Sequence, residues 1–293
     1  MPELPEVQTI VAELKPRLEG REITEVTALS EPSIAKPSVG EFVHQLVGQK
    51  IEKVWRRGKH IIIDLSSGKE LVIHLRMTGR LLFRDSAAPE DRFTRVIVHL
   101  DGGQELRFTD VRRFGRMSVL SQEELQYLSA SLGLEPLSED FTPEKLKDII
   151  DRRGQRIKPL LLDQRYIVGL GNIYADEALF EAGVHPARPA SSLTDEEIRK
   201  LFFAIKKVLS AGIADKGTTF DSYLDAFGKK GEHQFHLEVY RRTGELCPRC
   251  GTPIQRIVVG GRGTHFCPKC QPLTPSRALE TAPPLQKAQR RRG

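Results

Sequence analysis

Four cysteines near the C-terminus have the spacing of ligands for a single metal ion. They form two pairs, Cys247 with Cys250 and Cys267 with Cys270, and the chain has no other cysteine. The two residues inside each pair let both thiolates face one ion, and four thiolates complete a tetrahedral zinc site without an open position for a reacting water. The spacing therefore predicts one structural Zn²⁺. The alternative, a pair of disulfides, does not suit a reducing cytoplasm.

A glycine-rich turn between the two cysteine pairs presents one arginine. Its sequence is Gly260-Gly261-Arg262-Gly263. Glycines let the backbone bend tightly and approach a partner closely, and the planar fork of a guanidinium matches phosphate oxygens. We expect a phosphate-binding Arg262 at the tip of a hairpin. An ordinary glycine turn with a solvated arginine is the alternative at this stage.

The N-terminus carries a residue with unusual nucleophilic chemistry. Removal of the initiator methionine would expose Pro2 as a secondary amine at the start of a helix, where the helix dipole disfavours the protonated form. Attack of a secondary amine on a sugar carbon gives an iminium cation directly, and the neighbouring Glu3 and Glu6 could transfer protons. Proline followed by acids is also an ordinary helix start, so these residues alone leave both interpretations open.

The elements that must position these residues fall into two groups. Residues 3–18 carry a helical apolar stripe. From residue 20 to about 120, short β-rich runs alternate with turns, which predicts strands in a sandwich or barrel. After 120 the pattern predicts helices over 121–133, 142–153, 172–183 and 194–212, with Thr142 and Thr194 as N-caps. A cysteine-bearing hairpin follows at 239–272.

Length and composition exclude several classes of protein. The chain has 293 residues, of which 39% are hydrophobic and 29% are charged. These values suit a folded protein of two domains and exclude wholesale disorder and collagen-like repeats. No apolar run approaches the roughly 20 residues that span a bilayer, and the N-terminus lacks the pattern of a signal peptide. We therefore expect a cytoplasmic protein without a membrane partner.

The net charge of +6 is unevenly distributed. Residues 1–151 carry 21 basic and 25 acidic residues, whereas residues 152–273 carry 19 basic and 13 acidic ones. This asymmetry indicates binding of a polyanion by the second half, although a solvated basic surface would look the same. The final segment, 274–293, is rich in Pro, Ala and Arg and is predicted to be a disordered basic tail.

Six motifs together resemble one family. The start MPELPEV, RRGKHI (56–61), HLRMTGRL (74–81), DVRRFG (110–115), GLGNIYADEALF (169–180) and GRGTHFCPKC (261–270) are similar to those of bacterial formamidopyrimidine-DNA glycosylases. The matches run in order over nearly the whole chain except the tail. The resemblance implies a bifunctional DNA glycosylase and AP lyase of base excision repair. Such an enzyme excises oxidised purines from duplex DNA and then breaks the backbone by β- and δ-elimination.

The resemblance also implies individual roles. Pro2 would be the nucleophile, Glu3 the proton donor and Glu6 a supporting group, while Lys59 and Arg262 would bind phosphates and assist elimination. The positions that match the family's DNA contacts are Arg153, Lys158 and Asn172. A base must leave the duplex before it is excised, and Met77, Arg112 and Phe114 match the residues that fill the vacated stack.

Two segments match the family less completely. Residues 217–237 resemble its lesion-capping loop, but their central residues vary and no base contact is carried over. Phe93 stands where the family often has a histidine that contacts DNA, and a phenylalanine cannot supply that polar contact.

The predicted fold is α+β. We expect an N-terminal catalytic β-sandwich with an N-terminal helix (1–120), a helical helix–two-turn–helix domain with the capping loop (121–238), a zinc-finger hairpin (239–273) and the tail (274–293). The expected partner is damaged double-stranded DNA, bound by a monomer. Two alternatives remain: an endonuclease VIII-like enzyme for oxidised pyrimidines, and a non-catalytic zinc-ribbon protein that binds DNA.

Overall fold

A computed structural model describes residues 1–273, so the predicted basic tail, 274–293, lies outside the described residues. The N-terminal half contains one long helix, one short helix and nine strands. They are α1 (Leu4–Leu18), β1 (Ile23–Ala28), β2 (Ile34–Lys36), α2 (Val39–Leu46), β3 (Ile51–Arg57), β4 (His60–Leu65), β5 (Lys69–His74), β6 (Gly79–Asp85), β7 (Thr94–Leu100), β8 (Gln104–Asp110) and β9 (Arg116–Ser121).

These strands form two sheets. One has the order β1-β7-β8-β6 and is antiparallel throughout, and the other has the order β2-β9-β5-β4-β3. Along β7 buried and half-buried residues alternate, which is the pattern of a strand with one face on a core. The two sheets and α1 enclose one hydrophobic core. The predicted sandwich with an N-terminal helix is confirmed.

The prediction of strands throughout 20–120 is wrong at one place. Residues 39–46 form α2, in which Ser38 caps the first turn by accepting a hydrogen bond from the Glu41 amide at 3.5 Å. Phe42 and Leu46 stand four residues apart and bury the same helix face. Helical spacing therefore decides the structure of this short segment.

The second half is helical as predicted, and a hairpin follows it. Its elements are α3 (Gln122–Ala130), α4 (Pro143–Asp151), α5 (Ile157–Leu162), α6 (Asn172–Ala182), α7 (Asp195–Ala214), β10 (Gln255–Val259) and β11 (Arg262–Phe266). Thr142 and Thr194 cap their helices, and Glu197 completes a capping box with Thr194. Within the described residues, no helix is long and apolar enough to span a membrane.

The N-terminal helix belongs to both halves of the molecule. Val7, Ile10 and Leu14 pack into the core of the sandwich, whereas Leu4 packs into the separate core of the helical half. A second connection is made by Glu135, which accepts hydrogen bonds from Arg56 and Arg57 across the junction. The start of α1 is thus inserted between the two halves.

Candidate active site

The first residues of the chain lie buried at this junction. Pro2 is buried, and the amide of Leu4 donates to the Gly169 carbonyl at 3.0 Å. Gly169 has φ +93°, and a β-carbon on Gly171 would lie 2.3 Å from Cδ of Glu3. Only glycine allows this close approach, since a side chain at Gly171 would collide with the buried carboxyl. The glycines of the GLGN motif therefore form the wall against which the N-terminus rests.

Glu3 is held by the backbone of the opposite half. Its carboxylate accepts hydrogen bonds from the amides of Gly171 at 2.8 Å and Ile173 at 3.0 Å, at the N-terminus of α6. The side chain is almost wholly buried. Burial raises the pKa of Glu3, while the charge of Lys59 and the backbone donors lower it. A carboxyl in this environment can change its protonation state during a reaction.

Glu6 lies one turn further along α1 and is also buried. Its oxygens accept from the Glu3 amide at 2.7 Å, the Thr218 amide at 2.7 Å and the Tyr174 hydroxyl at 2.9 Å. Burial and the charge of Glu3 raise the pKa of Glu6 to about 7, although these three donors oppose the shift. Glu6 thus joins the start of α1 to α6 and to the 217–237 loop.

Lys59 completes the buried set. It lies in the turn between β3 and β4, and its ammonium donates to the Leu170 carbonyl at 2.8 Å. Burial lowers the pKa of Lys59, the charges of Glu3 and Glu6 raise it, and the charge of Arg262 lowers it. The charges of Glu3, Glu6 and Arg262 thus all act on Lys59. We call Pro2, Glu3, Glu6 and Lys59 the proline pocket.

The exposed Arg262 opens β11 at the tip of the predicted hairpin. The adjacent Gly263 carbonyl accepts from Lys158 Nζ and from Asn172 Nδ2, both at 3.0 Å. Two helices therefore fix the backbone beside Arg262. Asn172 Oδ1 is buried and has no partner within the described residues.

The structure does not support the expected DNA contact of Lys158. Its side chain is fully buried, and its ammonium lies 2.6 Å from the carboxylate of Asp176. Burial lowers the pKa of Lys158, and the Asp176 carboxylate opposes that shift. The family resemblance implies only that Lys158 lies near the lesion strand. The ammonium instead lies against Asp176 and donates to the Gly263 carbonyl and the Thr264 hydroxyl, so the buried side chain supports the hairpin.

The four cysteines converge as their spacing predicts. Their sulfur atoms all lie within 4.8 Å of one another, and two Sγ–Sγ distances are 3.8 Å (Cys247–Cys270) and 3.4 Å (Cys250–Cys267). A tetrahedron with Zn–S bonds of about 2.3 Å has sulfur–sulfur edges of about 3.8 Å. None of the four cysteines forms a disulfide bond. This set of thiols therefore fits one zinc ion.

Met77, Arg112 and Phe114 form an exposed cluster on the sandwich, here called the exposed trio. The Arg112 guanidinium lies 4.9 Å from the Phe114 ring centroid, and its Nη1 lies 3.4 Å from the sulfur of Met77. Buried Asp110 holds both supporting loops, because it accepts from the Thr78 hydroxyl and from the amides of Arg112 at 3.1 Å and Gly115 at 2.7 Å.

Arg153 and Phe93 lie outside these groups. The Arg153 guanidinium is 4.5 Å from the Tyr166 ring centroid, and its Nε is buried without a partner in the described part of the chain. Phe93 is 37% exposed and lies between Arg92 and Arg95, whose guanidinium carbons are 4.6 and 5.8 Å from its ring centroid. An aromatic ring between two cations takes the place of the expected histidine.

Several supporting residues escaped the sequence analysis. Asp176 accepts from the His265 amide at 2.9 Å, and Glu177 accepts from three successive amides, those of residues 238–240. Both acids are buried on α6 and hold the zinc hairpin in place. The available signal was two adjacent acids in the otherwise apolar helix NIYADEALF, since buried acids need dedicated partners.

Comparisons with known proteins agree with this architecture. Three family models match the chain: the formamidopyrimidine-DNA glycosylase N-terminal domain over residues 1–117, the formamidopyrimidine-DNA glycosylase H2TH domain over 132–223, and a zinc finger found in FPG and IleRS over 244–273. The formamidopyrimidine-DNA glycosylase of Desulforamulus reducens is 50% identical over 274 residues, which cover 92% of this chain and 99% of that protein.

Solved structures give the same result. The Lactococcus lactis Fpg protein in complex with DNA containing an abasic site has a TM-score of 0.85 and 35% identity, covering 92% of this chain and 99% of that one. Its complex with DNA containing N7-benzyl-Fapy-dG has a TM-score of 0.86 and 36% identity, with 92% and 100% coverage. The chain is 50% identical to the Desulforamulus reducens protein over almost the full length of both proteins. It therefore belongs to the formamidopyrimidine-DNA glycosylase family.

Proposed function

We propose that this chain excises oxidised purines, such as 8-oxoguanine and formamidopyrimidines, from duplex DNA and then cleaves the sugar–phosphate backbone. The observation that carries this proposal is the proline pocket. A buried Pro2 lies beside two buried carboxyls and a buried lysine, and every one of these charged groups has a shifted pKa. Such shifts are common where groups exchange protons during catalysis.

The reaction begins at Pro2 once the initiator methionine has been removed. The free secondary amine attacks C1′ of the damaged nucleotide while the bond from C1′ to the base breaks. Glu3 supplies the proton needed for sugar opening or base departure. Burial raises the pKa of Glu3, so this carboxyl keeps its proton at pH values where a solvated carboxyl has lost it. The amine then loses its proton, and the C1′–O4′ bond breaks as O4′ is protonated, which opens the sugar and leaves an iminium ion that links the proline nitrogen to C1′.

Elimination follows from this iminium, which acts as an electron sink. Loss of a C2′ proton breaks the C3′–O bond, and a second elimination breaks the C5′–O bond, so both phosphates leave and a one-nucleotide gap remains. Water then releases the sugar fragment from Pro2. We assign Lys59, which is part of the pocket, to proton transfer. We assign Arg262, whose charge acts on Lys59, to binding the flanking phosphates.

Glu6 supports the nucleophile indirectly. It fixes the Glu3 backbone and contacts Thr218 and Tyr174 at the same time. A change of its charge would alter all three contacts, so we assign Glu6 to holding the pocket in its reactive arrangement.

DNA would pass along the cleft between the two halves. The exposed trio would enter the duplex, with Phe114 and Met77 replacing the extruded base and Arg112 binding the base left opposite. Asn172 and Arg153 would contact the backbone from the basic half, while Lys158 would act only through the hairpin. The 217–237 loop would cover the lesion.

The cysteines would hold zinc as a purely structural ion, because four thiolates leave it no reactive position. Damaged duplex DNA is the partner of the family's solved complexes. We further propose that this chain acts as a monomer in the bacterial cytoplasm on the DNA of the nucleoid, with no membrane partner. We also propose the domain boundaries given above, at about residues 120, 238 and 273.

The decisive experiment compares duplexes carrying 8-oxoguanine, formamidopyrimidine or thymine glycol, with borohydride present to trap an iminium. We expect preferential nicking of the purine lesions and a covalent adduct. Both should be strongly reduced in Pro2→Gly, whose primary amine gives an imine that must still be protonated, and retained in Pro5→Ala, which alters a second proline of the same helix start. Mass spectrometry of the active preparation should show the initiator methionine removed.

Each other outcome contradicts a stated part of the proposal. Preferential cleavage at thymine glycol would indicate the endonuclease VIII-like alternative. Binding of damaged DNA without an adduct would indicate a non-catalytic protein. Full activity with the methionine retained would exclude Pro2 as the nucleophile.

A further inference from the structure

Two histidines and an aspartate converge where the 217–237 loop leaves and rejoins the helical half. Asp215 is the C-cap of α7, and His233 and His236 flank a single 3₁₀ turn at the other end of the loop. The Nδ1 atoms of both histidines are within hydrogen-bond distance of the same carboxylate oxygen of Asp215, at 2.8 Å for His233 and 2.7 Å for His236. None of these residues belongs to the proline pocket or the cysteine site.

The three side chains offer a ligand set suited to a borderline metal ion. Their ligand atoms all lie within 4.8 Å of one another. Imidazole and carboxylate bind Zn²⁺ at about 2.0–2.2 Å, which corresponds to ligand–ligand edges of about 3.3–3.5 Å. An ion can therefore replace the two hydrogen bonds after movements of less than about 1 Å. The His236 side chain is 61% exposed, so the site is open to solvent on one side.

The surrounding charges also favour a cation. Asp215 ends a helix of 20 residues, and its amide still donates to the carbonyl of Ala211. The C-terminal end of a helix carries partial negative charge, which stabilises a cation placed there. The ammonium of the neighbouring Lys216 is paired with the Glu13 carboxylate at 3.0 Å.

We propose that Asp215, His233 and His236 form a second metal site that binds a divalent first-row ion, with Zn²⁺ as the natural probe. Three protein ligands and an open face make this site weaker and more exchangeable than four thiolates. It is chemically distinct from the structural site, because it contains no sulfur.

An ion at this site would lock the base of the 217–237 loop. The Glu232 amide already donates to the Asp215 carbonyl at 2.9 Å, and the His233 amide donates to the Gly217 carbonyl at 3.1 Å. The His233 ring stacks on Tyr174 with centroids 5.5 Å apart, and Tyr174 contacts Glu6. The metal would thus restrict the loop at His233, which is connected to the proline pocket through its contact with Tyr174 and the contact of Tyr174 with Glu6.

The test is metal stoichiometry in the full-length protein that carries its structural zinc. The protein is dialysed against micromolar ZnCl₂ and then analysed for zinc. We expect a second equivalent in the wild type, lost in Asp215→Asn and in His236→Ala. His44→Ala serves as the control, since it removes a histidine of α2 outside this cluster and should retain the second equivalent. His236 is largely exposed, so its truncation should not disturb folding.

Trypsin cleavage after the exposed Lys229 and Lys230 gives a second measurement. At free zinc about tenfold above Kd, mass action should slow cleavage by about tenfold if the ion closes the loop base. The same zinc should have no effect on His236→Ala, which also controls for inhibition of trypsin. A single zinc per wild-type chain, or a second zinc retained in both variants, would overturn the proposal.

Discussion

The proline pocket and the exposed trio hold their side chains by opposite means. In the pocket, Glu3, Glu6 and Lys59 are 2%, 1% and 6% exposed, and partners from the helical half bind their polar atoms directly. In the trio, Met77 and Phe114 are 42% and 47% exposed, and hydrogen bonds of Asp110 and of the Ser222 hydroxyl hold the neighbouring backbone. Burial provides the shifted pKa values that the proposed proton transfers use, whereas the proposed entry into a DNA stack uses exposed side chains on a rigid base.

The comparison predicts its largest effect at Glu3. Glu3→Gln removes a proton donor and places an amide group among backbone donors, so base release should fall by about 100- to 10,000-fold. Stability should fall by about 1–3 kcal/mol, because a buried donor loses its acceptor. Single-turnover excision and thermal unfolding would measure both effects. Glu19→Gln, at the other end of α1, is the matched control, and equal losses in the two variants would contradict the assignment.

A smaller but still large effect is expected at the glycine wall of the pocket. Gly171→Ala places a β-carbon 2.3 Å from Cδ of Glu3, so the buried carboxyl must move. Overpacking of this kind costs about 1–3 kcal/mol, and excision should fall with it. Gly154→Ala is the control, because a β-carbon there meets no atom within 4 Å. If both variants behave alike, the close fit around Glu3 is unimportant.

Substitutions in the exposed trio should change DNA affinity without changing the stability of the fold. Arg112→Ala should weaken binding to lesion duplexes by about 1–3 kcal/mol, which is the worth of a good base contact, and change the unfolding free energy by less than about 0.5 kcal/mol. Asp110→Asn should lower both quantities, since it disturbs the buried support of Arg112. Fluorescence titration with DNA and denaturant unfolding distinguish the two patterns. A large stability loss in Arg112→Ala would show that the trio is not a free surface.

The smallest predicted effect is a pH dependence of stability that arises from Glu6. Folding raises the pKa of Glu6 from 4.5 to about 7. The stability that this residue contributes is therefore complete below pH 4.5 and is lost as the pH rises through about 7. Relative to Glu6→Gln, the wild type should lose about 1–3 kcal/mol of unfolding free energy between pH 5 and pH 8. A pH-independent difference in denaturant unfolding would show that Glu6 is not perturbed.

Local sequence signals predicted most elements of the fold. The apolar stripe over 3–18 corresponds to α1 at Leu4–Leu18, and the run HIIIDL coincides with β4 at His60–Leu65. Capping residues marked the starts of α4 and α7 correctly. These signals succeed because they depend on neighbours in the chain. The short helix α2 was missed because eight residues supply little periodicity.

The supporting contacts of the site were beyond such signals. The Glu3–Gly171 hydrogen bond joins residues 168 positions apart, and the Lys59–Leu170 bond joins residues 111 apart. The ion pair of Lys158 with Asp176 likewise depends on the packing of α5 against α6. The motifs located the chemical groups, but burial and partners are properties of the assembled fold. The roles of the individual residues stay predictions until they are tested.

The seating of α1 between the two halves constrains the order in which a working molecule can arise during synthesis. Pro2 and Glu3 are translated first, yet the amides that hold Glu3 belong to Gly171 and Ile173, and the carbonyl that receives Lys59 belongs to Leu170. A polypeptide released early, before these positions, would contain Pro2 and Glu3 without the backbone groups that hold Glu3. Incomplete products of the ribosome that end before these positions would therefore lack the formed proline pocket.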